Sequence, residues 1–211
     1  MIKSLKPFAA LAAVGSIFAV VAIASADTAA PSATEPSFNG TQDRFLGNAN
    51  APVTVFEYVS FRCTHCAAFT NGTLPLVKND WINPGKVRWV FRDFPLDPIS
   101  VNASQIGRCL PTDKFFGYVE AVYKDQANWA HLSDDDAIKH LAGIAGLDKK
   151  QTSDCLKNTA ILDLIKDERI TGEKTYGINM TPYFFVNGER IAGDPPYAQL
   201  QVVLQNVSPK P

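Results

Sequence analysis

The chain has 211 residues, 46% of them hydrophobic, and a formal net charge of −1. This content is enough to bury one sizeable core, or a core with an insert, and it excludes disorder throughout the chain. The sequence contains no basic block and no heptad repeat, so neither a nucleic-acid partner nor a coiled coil is indicated.

The N-terminus has the pattern of a secretory signal. Two lysines precede an apolar run over residues 8–24, which ends in the small residues Ala24-Ser25-Ala26. We therefore predict a cleaved signal peptide at residues 1–26, with an uncleaved membrane anchor as the alternative. Residues 27–42 are small, polar and rich in proline, which predicts a flexible leader. Export would place all four cysteines outside the reducing cytosol.

The most informative motif follows a short apolar run. Residues Val53–Val59 are β-branched or aromatic with one exception, which predicts a buried strand, and Cys63 and Cys66 come shortly after it. If Cys63 lies at the start of a helix, its sulfur meets backbone N–H groups that have no partner inside the helix. Cys66, one turn later on the same face, could close a disulfide with it. The pattern favours a redox-active pair.

Other roles for the two cysteines are less well supported. A zinc site needs about four ligands, and the sequence has no second C-x-x-C pair and no H-x-x-H pair. Covalent haem attachment needs a histidine after the second cysteine, where Ala67 stands. A purely structural disulfide stays as an alternative. We expect no metal and no cofactor.

Further elements can be placed along the chain. A short strand is expected at residues 43–46, and a strand at residues 86–92 follows the turn Asn83-Pro84-Gly85. In the helix after Cys66, Gly72 and Pro75 predict a kink or a break.

A helical block occupies residues 100–171, where only helical periodicity is found. Breaks near Pro111, at residues 128–134 and at residues 146–148 predict three or four helices. Ser133, followed by three aspartates, is a predicted N-cap.

The chain then returns to strands. The turn Asn187-Gly188, between Pro182-Tyr183-Phe184-Phe185-Val186 and Glu189-Arg190-Ile191, predicts a hairpin over residues 182–191, and a last helix is expected at residues 197–207.

The order strand, C-x-x-C helix, strand, helical block, hairpin and helix resembles the DsbA-like thiol:disulfide oxidoreductases. The most specific shared elements are Ala51-Pro52-Val53 leading to Cys63-Thr64-His65-Cys66, and Thr181-Pro182 before the hairpin. The resemblance implies an α/β class with a thioredoxin-like fold, in which helices flank a central mixed sheet and a helical domain is inserted.

The corresponding domain boundaries can be drawn from these elements. The first part of the thioredoxin-like domain would cover residues 43–99, the helical insert residues 100–171, and the second part residues 172–211.

The resemblance also assigns roles to residues. Cys63 would be the nucleophile and Cys66 the buried resolving cysteine, with His65 favouring the Cys63 thiolate if its ring faces the sulfur. Thr181 and Pro182 would be joined by a cis peptide bond, face the active disulfide and bind an extended substrate segment. A surface position for His65 without any role is the alternative.

Three more residues carry predictions. Glu57, in an otherwise apolar strand, resembles the buried acid that relays protons to the resolving cysteine, with Lys86 as its candidate partner. A structural ion pair or a solvated strand end is the alternative for Glu57. Cys109 and Cys155 both lie in the helical block, so a structural disulfide between them is expected, with a second redox pair as the alternative.

These features predict an exported, periplasmic and monomeric enzyme that oxidises the thiols of reduced or unfolded secreted proteins. The resemblance implies reoxidation by a membrane quinone-linked partner. A reductase or isomerase of the same compartment is the first alternative. A redox-inert binding module or a metal chaperone is the second.

Overall fold

A five-stranded mixed sheet organises the chain in this computed structural model, which describes Met1 and residues 35–209. The predicted signal peptide and most of the predicted leader lie outside the described residues. The strands are β1 Arg44–Leu46, β2 Val53–Val59, β3 Val87–Asp93, β4 Tyr183–Val186 and β5 Glu189–Ala192.

The sheet has the strand order β1-β3-β2-β4-β5. Strands β2 and β3 are parallel, whereas the pairs β1–β3, β2–β4 and β4–β5 are antiparallel. The central strand β2 is covered on both faces, which explains why its sequence is a nearly continuous apolar run. The sheet and its helices confirm the predicted α/β class.

Nine α-helices lie in the described part of the chain. They are α1 Thr64–Ala68, α2 Leu74–Val77, α3 Pro98–Cys109, α4 Thr112–Lys124, α5 Gln126–Trp129, α6 Asp134–Ala145, α7 Lys149–Leu156, α8 Thr159–Lys174 and α9 Tyr197–Val207. Two π-helical turns, Phe69–Thr73 and Lys78–Ile82, follow α1 and α2.

The break predicted near Gly72 and Pro75 is absent from the segment after the cysteine motif. The helix instead runs on from α1 to Ile82 and widens into the two π-turns. Pro75 lies in the first turn of α2, where the hydrogen-bonding pattern changes. Proline has no N–H to donate inside this continuous helix, and the change to π-type bonding, in which the Leu74 N–H bonds to the Phe69 carbonyl, occurs directly before it.

The helical insert contains six helices, α3 to α8, so the predicted number of three or four is wrong. Two helix ends were not predicted, at Asp125 and at Asn158. The Asn158 side chain caps α8 by accepting a hydrogen bond from the Ile161 N–H (3.2 Å). The predicted cap at Ser133 is confirmed, because its side chain accepts from the Asp136 N–H.

The insert is joined to the sheet by buried charges and by a shared apolar core. Arg108 of α3 pairs with Asp93 at the end of β3 and, at 2.8 Å, with Glu168 of α8. Removing one partner of such a buried pair typically costs about 3–5 kcal/mol, because the other charge is left uncompensated. The apolar core on this side includes Phe61 and Cys66, so the insert packs directly against the cysteine motif.

The insert also contains a disulfide between Cys109 and Cys155, which links α3 to α7 with a Cα–Cα distance of 5.8 Å. Across the described residues, every helix is too short or too polar to cross a bilayer. The apolar run at residues 8–24 lies outside them.

Candidate active site around Cys63 and Cys66

Cys63 is the N-cap of α1, directly after the loop that follows β2. Its backbone is extended (φ −71°, ψ 117°), and its sulfur accepts a hydrogen bond from the Cys66 N–H (3.4 Å). The first N–H groups of a helix have no partner inside the helix and lie at the positive end of its dipole. The sulfur of Cys63 therefore occupies a position that favours a negative charge.

This position lowers the pKa of Cys63 to about 5. The largest cause is the hydrogen bond that the Cys66 thiol donates to the Cys63 thiolate. Partial burial opposes the shift, whereas the Thr181 side chain and the backbone N–H groups of Cys66 and His65 add to it. Cys63 is consequently almost wholly a thiolate at pH 7.

Cys66 has the opposite environment. It is fully buried, and burial raises its pKa well above the ordinary value. The hydrogen bond to Cys63 and the negative charge of that thiolate raise the pKa further. The two free thiols thus differ strongly: one is partly exposed and acidic, and the other is buried and stays protonated.

Thr181 and Pro182 lie against Cys63. The peptide bond between them is cis, as the resemblance implied. In its protonated form, the Cys63 thiol can donate to the Thr181 carbonyl oxygen, which lies 3.2 Å from the sulfur. The Thr181 hydroxyl is buried and has no hydrogen-bond partner in the described part of the chain, and it helps to lower the pKa of Cys63 when Cys63 is ionised. This loop therefore contacts the nucleophile directly.

Glu57 lies on β2 and is buried. Its Oε2 accepts a hydrogen bond from the indole N–H of Trp89 (2.7 Å), and its Oε1 has no hydrogen-bond partner among the residues that the structure describes. Burial raises the pKa of Glu57 to about 7, with the Trp89 bond opposing the shift. Its charge also contributes to the raised pKa of Cys66. Glu57 is therefore an acid that changes protonation near neutral pH close to the buried cysteine.

The predicted partner of Glu57 is wrong. Lys86 is exposed directly before β3, where it donates to the Asp80 carbonyl (3.2 Å) and lies over the ring of Trp81. Trp89, within β3, takes the place expected for Lys86.

The predicted contact of the His65 ring with the Cys63 sulfur is also absent. His65 is exposed, and its ring makes no hydrogen bond within the described part of the chain. Side chains that are two residues apart on a helix do not face each other. The backbone N–H of His65, not its ring, favours the thiolate.

Sequence reasoning missed two polar residues of the insert that contact the cysteine loop. Tyr123 and Gln126 are buried, and both donate hydrogen bonds to backbone carbonyls between Ser60 and Cys63. The only available signal was a glutamine next to the apolar positions of a helical segment. Within residues 35–209, no group of three or more acids, histidines or cysteines is arranged to hold a metal ion.

Comparison with known proteins identifies the family. The model of the thioredoxin family matches residues 39–206. A protein of Rickettsia typhi, provisionally named a protein-disulfide oxidoreductase, is 28% identical over 149 residues, which cover 69% of this chain and 55% of that protein. The chain spans about half the length of this protein and of similar proteins from two other Rickettsia species.

Solved structures show the same architecture. The protein-disulfide isomerase of Novosphingobium aromaticivorans has 25% identity and a TM-score of 0.68, over 78% of this chain and 97% of that one. Wolbachia pipientis alpha-DsbA1 has 24% identity and a TM-score of 0.72, over 79% and 90%. The chain therefore belongs to the thioredoxin family, and its architecture is DsbA-like, with a helical domain inserted into the thioredoxin fold.

Proposed function

We propose that the chain is a thiol:disulfide oxidoreductase that introduces disulfide bonds into secreted proteins through Cys63-Thr64-His65-Cys66. The observation that carries this proposal is the unequal chemistry of the two thiols. Cys63 is partly exposed with a pKa of about 5, and Cys66 is buried with a raised pKa. Stabilising the Cys63 thiolate favours the reduced protein over its disulfide, so the disulfide form is an oxidant.

The proposed reaction starts from the Cys63–Cys66 disulfide. A thiolate of the substrate attacks the exposed Cys63 sulfur, forms a mixed disulfide and expels Cys66 as a thiolate. A second substrate thiolate then attacks the substrate sulfur of the mixed disulfide. Cys63 leaves as a stable thiolate, the substrate gains a disulfide, and the protein ends as the dithiol with both electrons.

Glu57 supplies the proton that Cys66 needs in this sequence. Cys66 leaves into an apolar environment that disfavours its thiolate. With a pKa of about 7, Glu57 is protonated in a large share of molecules near neutral pH and can release that proton. The proton reaches Cys66 directly or through water, and Glu57 accepts it back in the reverse direction.

Thr181 and Pro182 form the binding position for the substrate segment. The Thr181 carbonyl is 3.2 Å from the Cys63 sulfur, so a chain bound along this loop would present its cysteine to Cys63.

The proposed setting is the bacterial periplasm, reached through a signal peptide at residues 1–26, or an anchored form if that peptide is retained. The substrates would be reduced or unfolded secreted proteins. The dithiol must be reoxidised, and a membrane quinone-linked oxidase is the proposed electron acceptor. The chain is proposed to act as a monomer.

A reductase or isomerase is the second candidate, favoured by the solved isomerase with 25% identity. The same residues would then catalyse the reverse reaction, in which the dithiol attacks substrate disulfides. The low pKa of Cys63 argues for the oxidase, because a stable thiolate is a good leaving group and a weaker reductant.

Single serine variants test the proposed roles. Cys66→Ser should accumulate mixed disulfides through Cys63 with a substrate protein supplied in its disulfide form, because the Cys63 thiolate attacks that disulfide and the resolving thiol is gone. Cys63→Ser should form none and should lack oxidase activity. Non-reducing gel electrophoresis with mass spectrometry identifies the linked cysteine. Trapping through Cys66 in Cys63→Ser would reverse the assignment, and wild-type thiols that resist both oxidants and alkylation would favour a redox-inert module.

A further inference from the structure

The loop that carries Cys63 to the start of α1 is held by side chains of the helical insert. The Tyr123 hydroxyl donates to the Ser60 carbonyl (3.2 Å). The side-chain amide of Gln126 donates through Nε2 to the Phe61 carbonyl (2.8 Å) and to the Cys63 carbonyl (3.1 Å). Two insert side chains therefore bind three of the four carbonyls between Ser60 and Cys63.

Gln126 itself has little freedom to move. It is 7% exposed and begins α5, at the corner with α4. The corner is fixed by Trp129, which is fully buried and donates through its indole N–H to the Val122 carbonyl (2.9 Å). A contact of 2.5 Å between His140 and Asp125 ties the same corner to α6. Packed helices therefore hold the side-chain amide of Gln126 against the loop.

The bond to the Cys63 carbonyl acts on the geometry that activates the sulfur. That carbonyl also accepts the first hydrogen bond of the helix, from the Ala67 N–H (3.1 Å). The extended backbone of the N-cap places the Cys63 sulfur next to the Cys66 N–H. Fixing the Cys63 carbonyl fixes the rotation between Cα and that carbonyl, and with it the position of the sulfur relative to the helix start.

We propose that Gln126 is a positioning residue for thiol–disulfide exchange at Cys63, holding the backbone so that the sulfur stays against the N–H groups of the helix start. This inference rests on the proposed function. It makes the reactivity of Cys63 depend on the docking of the helical insert, although Gln126 does not touch the reacting sulfur.

A matched pair of variants tests this. Gln126→Met keeps an unbranched side chain of similar length and removes both donors. Gln105→Met is the control, because Gln105 is also buried and its Nε2 also donates to a backbone carbonyl, that of Leu156 (3.2 Å). The pKa of Cys63 is measured in the full chain by the ultraviolet absorbance of the thiolate and by the pH dependence of alkylation. The equilibrium constant with glutathione is measured in parallel.

We expect Gln126→Met to raise the pKa of Cys63 by about one unit and to make the protein a measurably weaker oxidant of glutathione. Gln105→Met should change neither quantity, although both variants lose a buried hydrogen bond. An unchanged pKa in Gln126→Met, or equal changes in the two variants, would overturn the inference.

Tyr123→Phe keeps the test informative if Gln126→Met does not fold. It removes only the donor to the Ser60 carbonyl, which still accepts from the Cys63 N–H (3.0 Å), so a smaller rise in the pKa of Cys63 is expected. No rise would count against the inference. A wild-type Cys63 with an ordinary pKa would overturn the proposed function and this inference together, whereas a low wild-type pKa that survives both substitutions would overturn this inference alone.

Discussion

Replacing Glu57 by glutamine should change how the stability of the protein depends on pH. The pKa of Glu57 is about 7 in the folded protein and 4.5 is its ordinary value, so the folded state binds the proton more tightly than the unfolded chain. Because the pKa of this carboxyl is raised by folding, the stability that Glu57 contributes is fully present below about pH 4.5 and is lost as the pH rises towards 7. Above pH 7 this loss of unfolding free energy no longer changes with pH.

The size of the effect follows from the two pKa values. The interval between them is about 2.5 pH units, which corresponds to roughly 3 kcal/mol of unfolding free energy. Glutamine cannot ionise, so Glu57→Gln removes this loss. The variant keeps an oxygen for the Trp89 N–H, and its amide nitrogen replaces Oε1, which has no partner within residues 35–209. The unpaired amide costs about 1–3 kcal/mol at every pH.

The measurement is urea unfolding at several pH values between 4.5 and 8. Both active-site cysteines are replaced by serine in all proteins, so that thiol titration does not contribute. The unfolding free energy of Glu57→Gln minus that of its parent should rise by roughly 3 kcal/mol across this range. Glu120→Gln, which removes a surface acid of α4, is the control. A difference for Glu57→Gln that stays flat with pH would refute the raised pKa and its assignment as proton donor.

The disulfide of the insert should be structural: replacing both Cys109 and Cys155 by alanine should cost up to roughly 4 kcal/mol and lower the melting temperature, but leave most dithiol oxidation in place. Loss of activity in a variant that is still folded would favour a second redox pair. Thr181→Val should raise the pKa of Cys63, because it removes the hydroxyl that helps to stabilise the thiolate, and an unchanged alkylation profile would contradict this. His65→Ala should shift that profile little, because the ring is exposed, and a rise of one unit or more would show that the ring acts on the sulfur.

The sheet could be predicted because its sequence signals are local. The central strand Val53–Val59 and the last helix Tyr197–Val207 have the predicted limits, and the hairpin forms around Asn187-Gly188. The central strand, β4 and the last helix have a clear apolar pattern, and the Asn-Gly turn marks the hairpin between β4 and the more polar β5. The helix limits of the insert were harder to predict, because two of its helix ends, at Asp125 and Asn158, carry neither glycine nor proline.

The part of the site whose geometry follows from the spacing of residues in the sequence could be predicted. Cys63 and Cys66 are three residues apart, which places them on one face of a helix, and their unequal burial follows from the helix start. Contacts from distant segments could not be predicted. Trp89 binds Glu57 from the neighbouring strand and Gln126 binds the cysteine loop from the insert, and both contacts depend on how packed elements meet.

The redox equilibrium of the Cys63–Cys66 pair with glutathione tests the central claim most directly. The account predicts an oxidising pair, with a potential of about −180 to −120 mV, as is typical of disulfide-forming proteins. It also predicts that the reduced protein is more stable than the oxidised one. A potential of about −270 mV or lower, where reductases and structural disulfides lie, would contradict the assignment as an oxidase.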